Sequence, residues 1–317
     1  MPPAPRKKAT TRTRKTTAAA PAAVAAPVGR FPSGEQLRVL EDEWGLRPAV
    51  DPESLALRLD RHLATVPAPP AAVRAAGPDG APTVPVAEVR RWLVQLTGSL
   101  SRVRVDHRRL DQAAKDRFNK ALKDAHADHS YQPFAAIHAD MGHLMHSMMG
   151  PIGTQRFLPW HRLYTLRCED LLRRKQPGLT IPYWDYATDH HRPDWVWQPP
   201  GVQRGVPGAA GDHLPTQAVI DGLQHRRTYT GFTSHLETDA HNNVHNWCNG
   251  TISDPMTATQ DPIFWLLHAN VDRVWDHWQL THSGRPSLSG TDAVLDPWQP
   301  TTAAQVDDIT PLGYSYG

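Results

Sequence analysis

Histidines at positions 241 and 245, in the segment HNNVH, stand one helical turn apart. On a helix, positions i and i+4 share a face with about 5–6 Å between their Cβ atoms, so two imidazoles can converge on one ion. Such pairs also occur by chance and on exposed faces, and a third donor is needed. His268 is the natural one, standing in DPIFWLLHANVDRVW among Phe264, Trp265, Leu266 and Leu267. An imidazole buried in that company is destabilising unless a partner satisfies it, and either a metal ion or a polar core neighbour would serve. A second group lies upstream in IHADMGHLMHSMMGPIGTQRFLPWHRLYTLRCEDLL. It holds His138, His143, His146 and His161, with His126 and His129 before it. Two groups of histidines on or near helices predict two metal sites. Neither brings an obvious carboxylate ligand, and no Cys-x-x-Cys pair exists. All-imidazole ligation suits copper, zinc, iron or nickel rather than calcium or magnesium. HNNVH carries no glutamate inside the motif, which removes the general base of a zinc hydrolase.

The elements that must position these side chains read as helices. Leu110 to His126 has its apolar residues at helical spacing (Leu110, Ala113, Ala114, Phe118, Ala121, Leu122, Ala125). Ser130 to about Met141 follows as a second helix, with Pro133 in its first turn. A third opens at His161 and runs to Lys175, closed by Pro177-Gly178. Thr238–Trp247 and Pro262–Leu280 are two more. Residues 187–225, rich in Pro and Gly, read as long loops. Strand signals are few and short, so the body is mainly α.

The chain of 317 residues carries 18 His and 11 Trp but only two cysteines, Cys168 and Cys248, so no disulfide framework is indicated. No apolar run approaches the roughly 18 residues of a membrane helix, and no membrane partner is expected. Residues 1–30 hold Arg6, Lys7, Lys8, Arg12, Arg14, Lys15 and Arg30 without an acidic residue. This reads as a solvated, disordered Ala/Pro-rich tail rather than a nucleic-acid arm. Its apolar part, Ala18 to Val28, lacks Leu and contains Pro21 and Pro27, unlike a secretory signal. Cytoplasmic residence is the expectation, with export by a partner left open. Residues 31–98 read as a small helical extension. Asp51 and Pro52 open its second helix, and a Pro/Ala/Gly-rich linker spans 67–85.

The residues carry a resemblance. FLPWHRLYTLRCEDLL is similar to the copper-A signature of tyrosinases, catechol oxidases and molluscan haemocyanins. HNNVHNWCNG with DPIFWLLHANVDRVWDHW is similar to their copper-B signature. IPYWDY at 181–186 resembles the segment between them, and Tyr314-Ser315-Tyr316 the paired-tyrosine motif that closes their catalytic domain. The resemblance covers about 101–317 and marks 99–317 as a tyrosinase-like copper domain. It implies a four-helix bundle housing a dicopper centre. His241, His245 and His268 match the copper-B ligands, and His161 matches the last copper-A ligand. His138 and His146 are the choices for the other two, with His143 the rival for either place.

The resemblance further implies oxidation of phenols to o-quinones with dioxygen as co-substrate. Hydroxylation of monophenols is linked in the family to a glutamate before copper B and an asparagine after its first histidine. Glu237 and Asn242 match both. Oxidation of catechols or o-aminophenols alone, and haemocyanin-like oxygen binding, are the alternatives. A small phenol is the implied substrate, and a copper-delivery or caddie protein an implied partner. Departures matter too. Leu267 stands where many relatives have a second histidine, which would remove a polar group from the pocket wall. Neither cysteine is near enough in sequence to His146 for the thioether of plant and fungal relatives. Cys248 reads as a small buried residue, Pro255 and Met256 fall at the family's gate position, and Asp261 and Asp272 flank His268. The extension at 31–98 would pack on the domain or shield the copper site, since the chain stops at the tyrosine motif.

Overall fold

Helix α1, Gln112–Ala127, begins where Asp111 caps it, accepting from the Ala114 N–H at 2.7 Å, two residues later than the periodicity alone suggests. Its buried stripe is Phe118, Ala121, Leu122 and Ala125. The computed structural model describes residues 102–317; the tail at 1–30, the extension over 31–98 and the expected start of the copper domain at 99 lie outside them.

The second expected helix is shorter. α2 spans Tyr131–Ala135, tightens into a 3₁₀ turn at Ala136–Ala139 and stops at Asp140, whose backbone is extended. Two further 3₁₀ turns, Met141–His143 and Ser147–Met149, follow on either side of Leu144, which adopts a left-handed φ of 50°.

The third helix corrects the expectation that His161 opens it. α3 runs Pro151–Lys175, and His161 lies near its middle. Pro159 sits inside this helix and has no N–H to offer the Gln155 carbonyl one turn back. That carbonyl instead accepts from the Tyr229 hydroxyl at 3.0 Å, so a tertiary contact restores what proline removes.

The loop region 187–225 also contains an element the sequence did not announce: α4, Gln217–Gln224, which buries Ile220 and Leu223. α5, Tyr229–His235, continues through a π turn at Leu236–His241 into α6, Asn242–Cys248, so the expected helix at 238–247 is the end of a longer rod. α7, Ile263–Thr281, is buried on nearly every face and packs on α3. α1, α3, the α5–α6 rod and α7 form the bundle. A short α8, Ile309–Leu312, precedes the last residues.

The only sheet among the described residues is two short parallel strands, β1 Val103–Arg104 and β2 Ser315–Tyr316. It places Arg104, fully buried, beside Tyr316. Arg104 donates to Glu169 of α3 at 3.0 Å and to Asp272 of α7 at 3.2 Å. Asp272 also accepts from Arg162 Nε, Tyr314 and Tyr316, each at 2.5 Å. Burial opposes ionisation of Asp272, but Arg162, Arg104 and the two hydroxyls hold its carboxyl below the usual range. Both cysteines are free and buried.

Candidate metal centre

The candidate ligands are delivered by several local devices. His161 and His268 project from α3 and α7, and His241 closes the π turn with His245 one turn later in α6. His138 lies in the 3₁₀ turn after α2, and His146 on an extended residue (φ −131°, ψ 150°). The fold gathers them into two buried groups, His138/His146/His161 and His241/His245/His268, with the ligand atoms of each group within 4.8 Å of one another. The groups face each other: the His161 and His268 rings stack at 4.5 Å, and His146 lies 6.0 Å from His241. His143, the rival, is in neither group; it stacks on Trp160, 6.0 Å between centroids.

The hydrogen bonds decide which ring nitrogen is bare. His138 Nδ1 donates to the Pro255 carbonyl at 2.9 Å, His161 Nδ1 to Phe157 at 2.8 Å, and His245 Nδ1 to Ile252 at 2.7 Å. His241 Nδ1 donates to Asn242 Oδ1 at 2.9 Å and His146 Nδ1 to Glu237 Oε1 at 3.2 Å. A proton on Nδ1 leaves Nε2 as a lone pair. Yet His138 Nε2 lies 3.2 Å from His146 Nε2 and 3.3 Å from His161 Nε2, and His241 Nε2 lies 3.2 Å from His268 Nε2. Among His138, His146 and His161, whose Nδ1 protons are all placed, acceptor facing acceptor at this range is unfavourable unless a cation sits among them. An ion with tetrahedral bonds of about 2.0 Å to imidazole holds its ligand nitrogens about 3.3 Å apart. The donor sets therefore fit two metal ions. Asp261 and Asp272 do not orient the imidazoles: Asp261 pairs with Arg204, and Asp272 closes the arginine–tyrosine network.

Burial, then the neighbouring imidazoles, keeps His138, His161, His241 and His268 neutral well below the usual histidine range, and burial takes His245 down to about 4. The unfolded chain therefore binds more protons between the ordinary value near 6.5 and these depressed ones. The stability they confer is fully present above about pH 6.5 and is lost as pH falls toward 4. For His245 alone the loss is on the order of 3 kcal/mol. Urea midpoints of the metal-free chain at pH 7.5 and pH 5 measure it; equal midpoints would contradict it.

Two aromatic rings that the sequence did not single out for the site complete it. Phe264 stacks on His268 at 4.0 Å and meets His138 at 5.1 Å, and Phe157 lies 4.9 Å from both His161 and His241. Each stands four residues before a ligand on its own helix, a spacing that could have pointed to it. A cavity of about 260 Å³ opens over the centre. Glu237, Asn242 and Pro255 line it, and Met148, 73% exposed, stands in its wall. Met256 is half-exposed. Leu267 is fully buried in the core and is absent from the cavity lining, because the residue before His268 points off the ligand face. Leu267 is therefore not part of the cavity wall. No helix among the described residues is long and apolar enough to cross a membrane.

Comparison with known proteins agrees with this geometry. The family model described as the common central domain of tyrosinase matches residues 128–210 and 199–281. The chain is 31% identical over 209 residues to a Streptomyces glaucescens tyrosinase, covering 49% of this chain and 76% of that protein. To a Streptomyces antibioticus tyrosinase it is 28% identical, covering 66% of this chain and 97% of that protein. Among solved structures, a functional unit of octopus haemocyanin shares the fold with a TM-score of 0.56 at 24% identity, covering 68% of each chain. A polyphenol oxidase from Thermothelomyces thermophila does so with a TM-score of 0.54 at 17% identity, covering 73% of this chain and 93% of that one. With two facing imidazole triads and these relatives, the chain belongs to the tyrosinase family and is a type-3 copper oxidoreductase.

Proposed function

We propose that the enzyme both hydroxylates small monophenols at the ortho position and oxidises o-diphenols to o-quinones, using dioxygen. One observation supports this over diphenol oxidation alone: Glu237 and Asn242 both stand in the wall of the cavity onto which the ligand histidines open. In this reading His138, His146 and His161 hold one copper ion and His241, His245 and His268 the other. Copper, when bound, supplies the electron transfer between dioxygen and the ring. The chain supplies the rest. Five of the six ligands have Nε2 left bare and the ring fixed by an Nδ1 bond, which gives neutral ligands in preset orientation. The cavity of about 260 Å³ admits a single ring, which suits a monocyclic phenol. Glu237, which lines that cavity, takes the phenol proton directly or through a water held with Asn242.

The copper-loaded chain is tested on tyramine, tyrosine, catechol and o-aminophenol without a catechol primer. Oxygen uptake and quinone colour with the monophenols are the expected result. Uptake with catechol alone makes the enzyme a catechol oxidase, and uptake with none sinks the reading.

A further inference from the structure

We propose that Glu237 is the positioning residue of His146, holding the one ligand imidazole whose backbone no helix fixes, and thereby governing retention of copper at the His138/His146/His161 triad. This rests on the reading of that triad as a copper site. Of the six imidazoles, three donate Nδ1 to backbone carbonyls and one to the amide oxygen of Asn242. His268 Nδ1 has no hydrogen-bond partner. Only His146 donates to a carboxylate.

The backbone explains the need. His146 is extended, between left-handed Leu144 and the 3₁₀ turn at Ser147–Met149, so no helical ladder sets the direction of its side chain. Glu237, 2% exposed, reaches across from the π turn 91 residues away. Its Oε1 accepts from His146 Nδ1 at 3.2 Å and from the Ser147 N–H at 2.9 Å, and Oε2 accepts from the same N–H at 3.1 Å. One carboxylate thus grips both the ring and the peptide that follows it. A charged acceptor is a stronger partner than a carbonyl, and it holds the proton on Nδ1 so that Nε2 stays bare. The clamp ties the loop of one triad to the π turn that carries His241 of the other. π turns recur at functional sites.

A clamp and a proton acceptor leave different traces. Copper-loaded full-length wild type, Glu237→Gln and Glu237→Ala are dialysed against a graded series of chelator, and copper per chain is measured, with far-UV circular dichroism reporting folding. Loss of such a partner weakens metal binding about 10–100-fold. Glu237→Ala is expected to fall from two ions to one at chelator concentrations that leave wild type fully loaded. Glu237→Gln, which keeps an acceptor oxygen and the side-chain volume but loses the charge, should fall between them. It carries the test alone if the alanine variant does not fold. Wild-type chelator resistance in the glutamine variant, or parallel loss of both ions, overturns the clamp. Two ions retained with monophenol turnover lost assigns Glu237 to proton transfer alone and also overturns it. A wild type that never holds two ions overturns the copper reading together with this one.

Discussion

Gly153→Ala is expected to strip copper from the His138/His146/His161 triad, leave the other triad loaded, and lower oxygen consumption more than 100-fold. Gly153 lies in the first turn of α3, where the chain carrying His146 crosses against it. A Cβ there would stand 1.9 Å from the His146 carbonyl oxygen and 2.8 Å from its carbon. Both are backbone atoms, so no side-chain rotation relieves the clash. That carbonyl also accepts from the Met149 N–H at 2.9 Å, so the whole turn must move, and His146 with it. The stability cost of such overpacking is about 1–3 kcal/mol, small enough to leave a folded protein with a misplaced ligand. Gly222→Ala is the control: it lies in α4 with nothing within 4 Å of its added Cβ, and it should gain about 0.5–1 kcal/mol with activity untouched. Copper per chain and oxygen uptake measure both variants; two ions in Gly153→Ala would show that the loop yields where the geometry says it cannot.

Asp272→Ala should be the most destabilising single change away from the ligands. Its carboxylate is the shared acceptor of Arg104, Arg162, Tyr314 and Tyr316, all buried where α3, α7, β1 and β2 meet. Removal leaves two guanidinium groups in the core without the counter-charge they share. Arg104 keeps Glu169, and Arg162 keeps the Val306 and Asp307 carbonyls, Gln279 and the charge of Asp276. Breaking a buried pair by deleting one partner costs about 3–5 kcal/mol. Domains are stable by only about 5–15 kcal/mol, so soluble yield should collapse. Asp272→Asn keeps the shape but not the charge, and its urea midpoint should lie between the two. A wild-type midpoint in either variant would show that the network contributes nothing net.

Much of the architecture was legible locally. The apolar spacing of Phe118, Ala121, Leu122 and Ala125 announces α1. The i,i+4 pair His241/His245 and the apolar run around His268 announce three imidazoles that the fold does bring together. These are readings of helical period and composition, which depend on neighbours in sequence.

What required tertiary structure depends on neighbours in space. Pro159 reads as a helix boundary until Tyr229 satisfies the freed Gln155 carbonyl, so His161 came to mid-helix. α4 was hidden among glycines and prolines because only packing of Ile220 and Leu223 makes so short a helix stable. His146 rather than His143 enters the first triad because left-handed Leu144 turns the chain and Gly153 lets it pass. Two of the orienting partners were beyond reach for the same reason: Pro255 lies 117 residues from His138, and Glu237 lies 91 from His146. The sequence by itself determined most of the bundle's helices, the kind of donor and the family. The tertiary structure decided which donors converge and what holds them, because a ligand set is a distance relation between elements that no local pattern encodes.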